Sequence, residues 1–92
     1  AAAKAGVMAL TRCAAIEAAE FGVRVNAVSP SFASHPFLEK VSDPDLLKGL
    51  ESQEAFGRGA QPWEVANVIV FLASDLSSYM TGESVSVSSQ RA

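Results

Sequence analysis

Cysteine, histidine, tyrosine and tryptophan each occur once in this chain. A single cysteine, Cys13, cannot close an internal disulfide, and it has neither a second Cys nor a nearby His to form a metal site. Such usage fits a reducing, cytoplasmic setting. Basic residues are few, 7 against 10 acidic ones for a net charge of −3. With no Lys/Arg cluster to neutralise phosphates, nucleic acid is not the expected partner. No apolar run reaches the roughly 20 residues that a membrane helix needs, and the start has no basic region or cleavage site of a signal peptide. What is present is apolar: 49% of the 92 residues are hydrophobic, enough for a packed core in at most one small domain.

Residues 1 to about 20 predict a helix rich in Ala, with Gly6 near its start. No capping residue precedes Ala1, so the helix is expected to continue a longer chain. Its larger apolar residues, Val7, Met8, Leu10, Cys13 and Ile16, spread around the wheel and predict packing on more than one side, leaving Arg12, Glu17 and Glu20 to solvent. Gly22 supplies the left-handed residue that ends the helix. A strand is expected over Val23–Val28, with Pro30 ending its ladder and marking the C-terminal edge where open α/β sheets bind ligands. Asn26 is expected to fix that strand by a hydrogen bond. Asp43-Pro44 opens a short helix through Leu46, Leu47 and Leu50. Pro62 to about Ala73 forms a stronger one, with Val65, Ile69 and Leu72 as its core face, and Trp63 and Phe71 packing. Ser84–Ser88 alternates as a final strand with Val85 and Val87 inward, parallel to the first. Two strands are few for a parallel sheet. The expected fold class is therefore α/β, the C-terminal portion of a doubly wound parallel sheet.

Four ordered stretches carry a family resemblance: Ala1–Arg12; Gly22 through Pro30; Gly57-Arg58 with Gln61–Ala66; and Phe71–Asp75 running on to Tyr79–Gly82. Together they resemble the short-chain dehydrogenase/reductase family. The resemblance implies that residues 1–92 are the C-terminal part of a single NAD(P)-binding Rossmann domain. It also implies NAD or NADP as cofactor, interconversion of a ketone and an alcohol, and a homo-oligomer, commonly a tetramer. In the family a Tyr sits four residues before the Lys, which here puts it immediately before Ala1. Lys4 would then share a helix face with that phenol and stabilise its phenolate for proton transfer. By composition alone Lys4 is an exposed helix lysine; the family pattern makes it the catalytic candidate, and the family's Lys also binds the nicotinamide ribose.

Pro30-Ser31-Phe32-Ala33-Ser34-His35 falls where the family has Pro-Gly-x-Ile/Val-x-Thr. The resemblance places Pro30, Ser31, Ala33 and His35 at the cofactor, with backbone groups of Ala33 at the carboxamide and His35 where a Thr would touch phosphate. Phe32, Phe37 and Leu38, followed by Leu46, Leu47 and Phe56, fall in the family's substrate lid. Their apolarity suggests a small apolar carbonyl or alcohol, such as a 3-oxoacyl thioester or a steroid-like ketone; core packing explains the same residues. Tyr79 lacks a Lys four residues later and is read as packing, and Cys13 as a small core residue. Val87-Ser88-Ser89-Gln90 replaces the Val-Asp-Gly-Gly of many relatives, a change assigned to assembly. The alternative function is a non-catalytic binding or assembly protein on the same fold.

Overall fold

A computed structural model describes residues 2–31 and 43–90. Helix α1 (Ala2–Ala18) leads to strand β1 (Ala27–Pro30), helix α2 (Pro44–Gln53), helix α3 (Pro62–Ala73) and strand β2 (Ser84–Val87). Short 3-10 turns occupy Ala19–Phe21 and Asp75–Ser77. The strands pair in parallel, Ala27 opposite Ser84 and Pro30 opposite Val87, and both α1 and α3 pack against β1. This is the expected α/β arrangement.

Local chemistry explains the helix ends. Gly22 takes φ 71° and donates its N–H to Ala19 O at 3.0 Å, turning the chain out of α1. Asp43 caps α2 by accepting from Asp45 N at 2.8 Å, with Pro44 in the first turn. Pro62 opens α3 in the same way.

The first strand lies at 27–30, not 23–28, because its partner begins only at Ser84. Residues 23–26 are instead tied to the loop after α3. Val25 N donates to Thr81 Oγ1 at 3.0 Å, and Val25 O accepts from Gly82 N at 2.7 Å. Asn26 has its expected role: Nδ2 donates to Met80 O at 3.0 Å, and Oδ1 accepts from Glu83 N at 3.1 Å. Pro30 is the last paired residue. Ala27 N donates to Glu83 O and Ser31 N to Val87 O. Alternate residues therefore face β2, and the N–H that Pro30 lacks falls on the far side of the ladder.

Arg24, which no pattern in the sequence singles out, organises this region. Its Nη1 donates to Leu72 O at 3.0 Å and Ser77 O at 2.9 Å, and its Nη2 donates to Ser74 O at 3.0 Å. Ser77 Oγ accepts from the same guanidinium at 2.9 Å, and this side chain is 2% exposed. One planar cation thus satisfies carbonyls that the end of α3 leaves without helical partners, and complements the negative end of its dipole.

Few apolar side chains are covered. Among the described residues the buried ones are Ala15 and Leu72, beside the polar Thr11, Glu54 and Ser77. The Cα radius of gyration, 15.7 Å, exceeds the ~12 Å of a compact domain this long. Several expectations are corrected accordingly. Within this chain α1 packs on one side, leaving Val7, Met8, Leu10 and Ile16 exposed; Cys13 is exposed too. On α3, Leu72 is buried and Val65 half-buried, but Ile69, Trp63 and Phe71 are exposed, and Tyr79 stands fully in solvent. Ile69 lines an open pocket with Arg24, Asn26 and Val28, which these neighbours leave unfilled. Val85 and Val87 are half-buried, with Ser86 exposed between them.

Replacing Arg24 with Met keeps the stem and removes the donors, and should lower the unfolding free energy by about 2–3 kcal/mol in a denaturant melt. Gly82 has φ 78°, and a Cβ there would meet Ala15 Cβ at 3.4 Å. Gly82→Ala should therefore destabilise by about 1–2 kcal/mol in the same assay.

Candidate functional site

Helix and strand lengths decide where Lys4 ends up. From Lys4 to Gly22 the helix rises ~27 Å, and from Gly22 to Pro30 an extended chain returns ~26 Å. The chain reverses at Gly22, so Lys4 arrives level with the C-terminal end of β1. β2 is parallel to β1 and ends at the same edge. Lys4, Ser29, Pro30 and Ser31 accordingly line one open groove of about 360 Å³ with Ser86, Ser88 and Gln90.

The structure therefore brings together three of the residues singled out from sequence: Lys4, Pro30 and Ser31. Phe32, Ala33, His35, Phe37 and Leu38 lie outside the described residues. Ser86, Ser88 and Gln90 were not anticipated here, since the end of the second strand was assigned to assembly. Their signal was the parallel register, because once Pro30 faces Val87 the residues beside them must share the same edge. The groove's side chains are one ammonium, four hydroxyls and a carboxamide; no carboxylate lines it among the described residues. Lys4 is exposed and has no ion-pair partner among those residues.

A smaller cavity of about 140 Å³ adjoins it, sharing Ser31 and Ser88 and lined also by Glu54, Phe56, Arg58 and Ser89. Glu54 is 3% exposed; its Oε2 meets Ser89 Oγ at 3.5 Å, while Oε1 is buried without a hydrogen-bond partner. Ser89 Oγ also accepts from Phe56 N at 3.2 Å. Ala55 N donates to Gln90 O at 2.8 Å. The segment after α2 thus holds the chain beyond β2 in place. Arg58 forms a forked pair with Glu64 at 2.7 and 3.2 Å, and Glu64 Oε1 accepts from Gln61 N at 2.8 Å. The Arg58 guanidinium, aided by that amide, holds the Glu64 carboxyl at about 2, well below its ordinary value.

A parallel α/β sheet whose candidate site lies at the C-terminal strand edge is the arrangement of Rossmann-type proteins. The family model described as enoyl-(acyl carrier protein) reductase matches residues 1–89. The chain belongs to the short-chain dehydrogenase/reductase family. It is 70% identical over 90 residues to (5R,7aS)-5-hydroxy-7a-methyl-1-oxo-2,3,5,6,7,7a-hexahydro-1H-indene-carboxyl-CoA reductase of Mycobacterium tuberculosis, covering 98% of this chain and 34% of that protein. It is 46% identical over 87 residues to the 3-oxoacyl-[acyl-carrier-protein] reductase FabG of Thermotoga maritima, covering 95% of this chain and 35% of the relative. A crystal structure of a short chain dehydrogenase from Mycobacterium smegmatis superposes with a TM-score of 0.72 at 66% identity, covering 99% of this chain and 30% of that one. The chain therefore spans about a third of the length of the relatives it matches. Among the described residues no helix is long and apolar enough to cross a membrane. Nor does any group of three or more His, Cys, Asp or Glu among them offer a metal site.

The ion pair predicts an acid dependence of stability. The folded Glu64 carboxyl sits below its unfolded value, so its contribution is complete above about 4.5 and disappears as pH falls towards about 2. The pair is partly exposed, its side chains 48% and 27% accessible, so the effect should be small. Thermal melts of Glu64→Gln should lie below the wild type at neutral pH and converge with it at the acid end of that window.

Proposed function

We propose that the protein containing this chain is an oxidoreductase that interconverts a ketone and a secondary alcohol with NAD or NADP. The observation that carries this reading is the meeting of Lys4 with Pro30 and Ser31 in one groove, within a chain of this family. The groove's make-up suits such a cofactor: one cation and several hydroxyls offer partners to a ribose and an amide, with no described carboxylate to repel an anionic dinucleotide. Lys4, Pro30 and Ser31 would hold its nicotinamide end, with Ala33 and His35 expected to extend the contact. When bound, the nicotinamide supplies or accepts the hydride.

Lys4 has two tasks in this reading. Its ammonium binds the ribose, and it stabilises phenolate on a Tyr expected one helical turn earlier, directly before Ala1. A fixed cation beside a phenol brings the phenol's proton affinity down towards neutral pH, so that it can protonate a substrate oxygen or take the proton back. Ser31 and Ser88 add hydroxyl donors at the same edge. The substrate proposed is an apolar ketone or alcohol carrying an acyl group, as a thioester or carboxylate. The reductase names of the similar proteins and the apolar Phe32, Phe37 and Leu38 support it. A cytoplasmic homo-oligomer, commonly a tetramer in this family, fits the lone cysteine and the apolar side chains that α1 leaves exposed.

Lys4→Met in the whole protein should lower kcat by about 10²–10⁴ and raise KM for the cofactor. It should also move the pH profile of alcohol oxidation to higher pH, because the phenol loses its neighbouring cation. Unchanged turnover in that variant would defeat the role given to Lys4, whereas a wild-type protein that neither binds the cofactor nor turns over a ketone would favour a non-catalytic binding or assembly role.

A further inference from the structure

Gln90 has a backbone that suits glycine. Its φ is 73°, and it is the only non-glycine among the described residues in the left-handed region; the others there are Gly22, Gly57 and Gly82. L-residues rarely adopt this conformation unless their surroundings impose it. Here the surroundings do: Ala55 N donates to Gln90 O at 2.8 Å, and Gln90 N donates to Ser88 Oγ at 2.9 Å. A side chain kept where glycine would be unstrained points to a use for that side chain. The carboxamide of Gln90 makes no hydrogen bond to another described residue, and Gln90 lines the groove that contains Lys4.

We propose that Gln90 determines substrate specificity, its carboxamide donating an N–H to the acyl oxygen, thioester or carboxylate, of a substrate whose ketone lies beside Lys4. The inference rests on the reading of the Lys4 groove given above. Three features carry it. Lys4 comes from α1, and Pro30 and Ser31 from the end of β1, whereas Gln90 follows β2, so the groove has a second side that the proposed cofactor contacts do not use. No described carboxylate lines the groove, so the surroundings favour an oxygen acceptor in the ligand. Ser88 Oγ accepts from Gln90 N, which leaves the serine O–H as a second donor at the same place. A neutral amide suits the task, because it orients an oxygen without competing for the proton that Lys4 governs.

The test compares a 3-oxoacyl thioester with cyclohexanone, using the purified whole protein and steady-state kinetics. Gln90→Gly is the informative variant, since glycine relieves the left-handed backbone and folding should not suffer. It should lower the ratio of kcat/KM for the thioester over cyclohexanone by about five- to tenfold, the value of one neutral hydrogen bond, and KM should carry the change. Gln90→Glu should lower that ratio further, because its carboxylate repels the acyl oxygen. An unchanged ratio, or a change confined to the cofactor's KM, would overturn the proposal. Lys4→Met run in parallel separates the two readings. Full turnover in that variant removes the groove's role altogether, whereas normal dependence on Lys4 with an indifferent Gln90 removes only the present inference. A wild type that turns over neither ketone overturns both.

Discussion

Four residues of parallel pairing, Ala27–Pro30 against Ser84–Val87, hold the candidate site together. Parallel strands end at the same edge, so the residues that follow each of them become neighbours although more than fifty positions separate them in sequence. Helix α1 runs opposite to β1 and returns Lys4 to that edge, because helix and strand cover nearly equal distances on either side of Gly22. A register shift of one residue would carry Ser86 and Ser88 to the other face and dissolve the groove. The groove is therefore a property of the pairing more than of any single side chain.

What secures the pairing is largely polar. Arg24 gathers the carbonyls at the end of α3, and Asn26 joins Met80 to Glu83. These contacts set where the loop after α3 lies and hence where β2 begins. Apolar burial inside the chain contributes little, with Ala15 and Leu72 as the buried apolar side chains among the described residues. The chain spans about a third of its relatives' length, and broad apolar faces of α1 and α3 stand exposed within it. Hydrogen-bonded connections that need no surrounding core thus define the local geometry that the site uses.

Much of the architecture was readable from single residues whose backbone demands are strong. Gly22, Asp43-Pro44 and Pro62 each impose a helix boundary through their own covalent chemistry, and the helices begin or end there. The strand at Ser84–Val87 showed itself through its alternation. The first strand was less legible, because Val23–Val28 has the composition of a strand throughout, yet a strand exists only where a partner offers its backbone. Cys13, Trp63, Phe71 and Tyr79 were read as packed from their chemistry, but exposure depends on which neighbours are present. Gln90 was read as an assembly residue because its backbone conformation leaves no mark in the order of amino acids.

The order of amino acids determined the helix ends, the α/β alternation, the family and Lys4 as the residue of chemical interest, since each follows from local covalent preferences or a motif that is itself local. Only the tertiary structure decided that Lys4 meets Pro30, Ser31, Ser88 and Gln90, that Arg24 binds the end of α3, and that Gln90 is held left-handed. The physical reason is that these are relations between segments brought together by β-pairing, and pairing selects its register from the whole set of backbone partners.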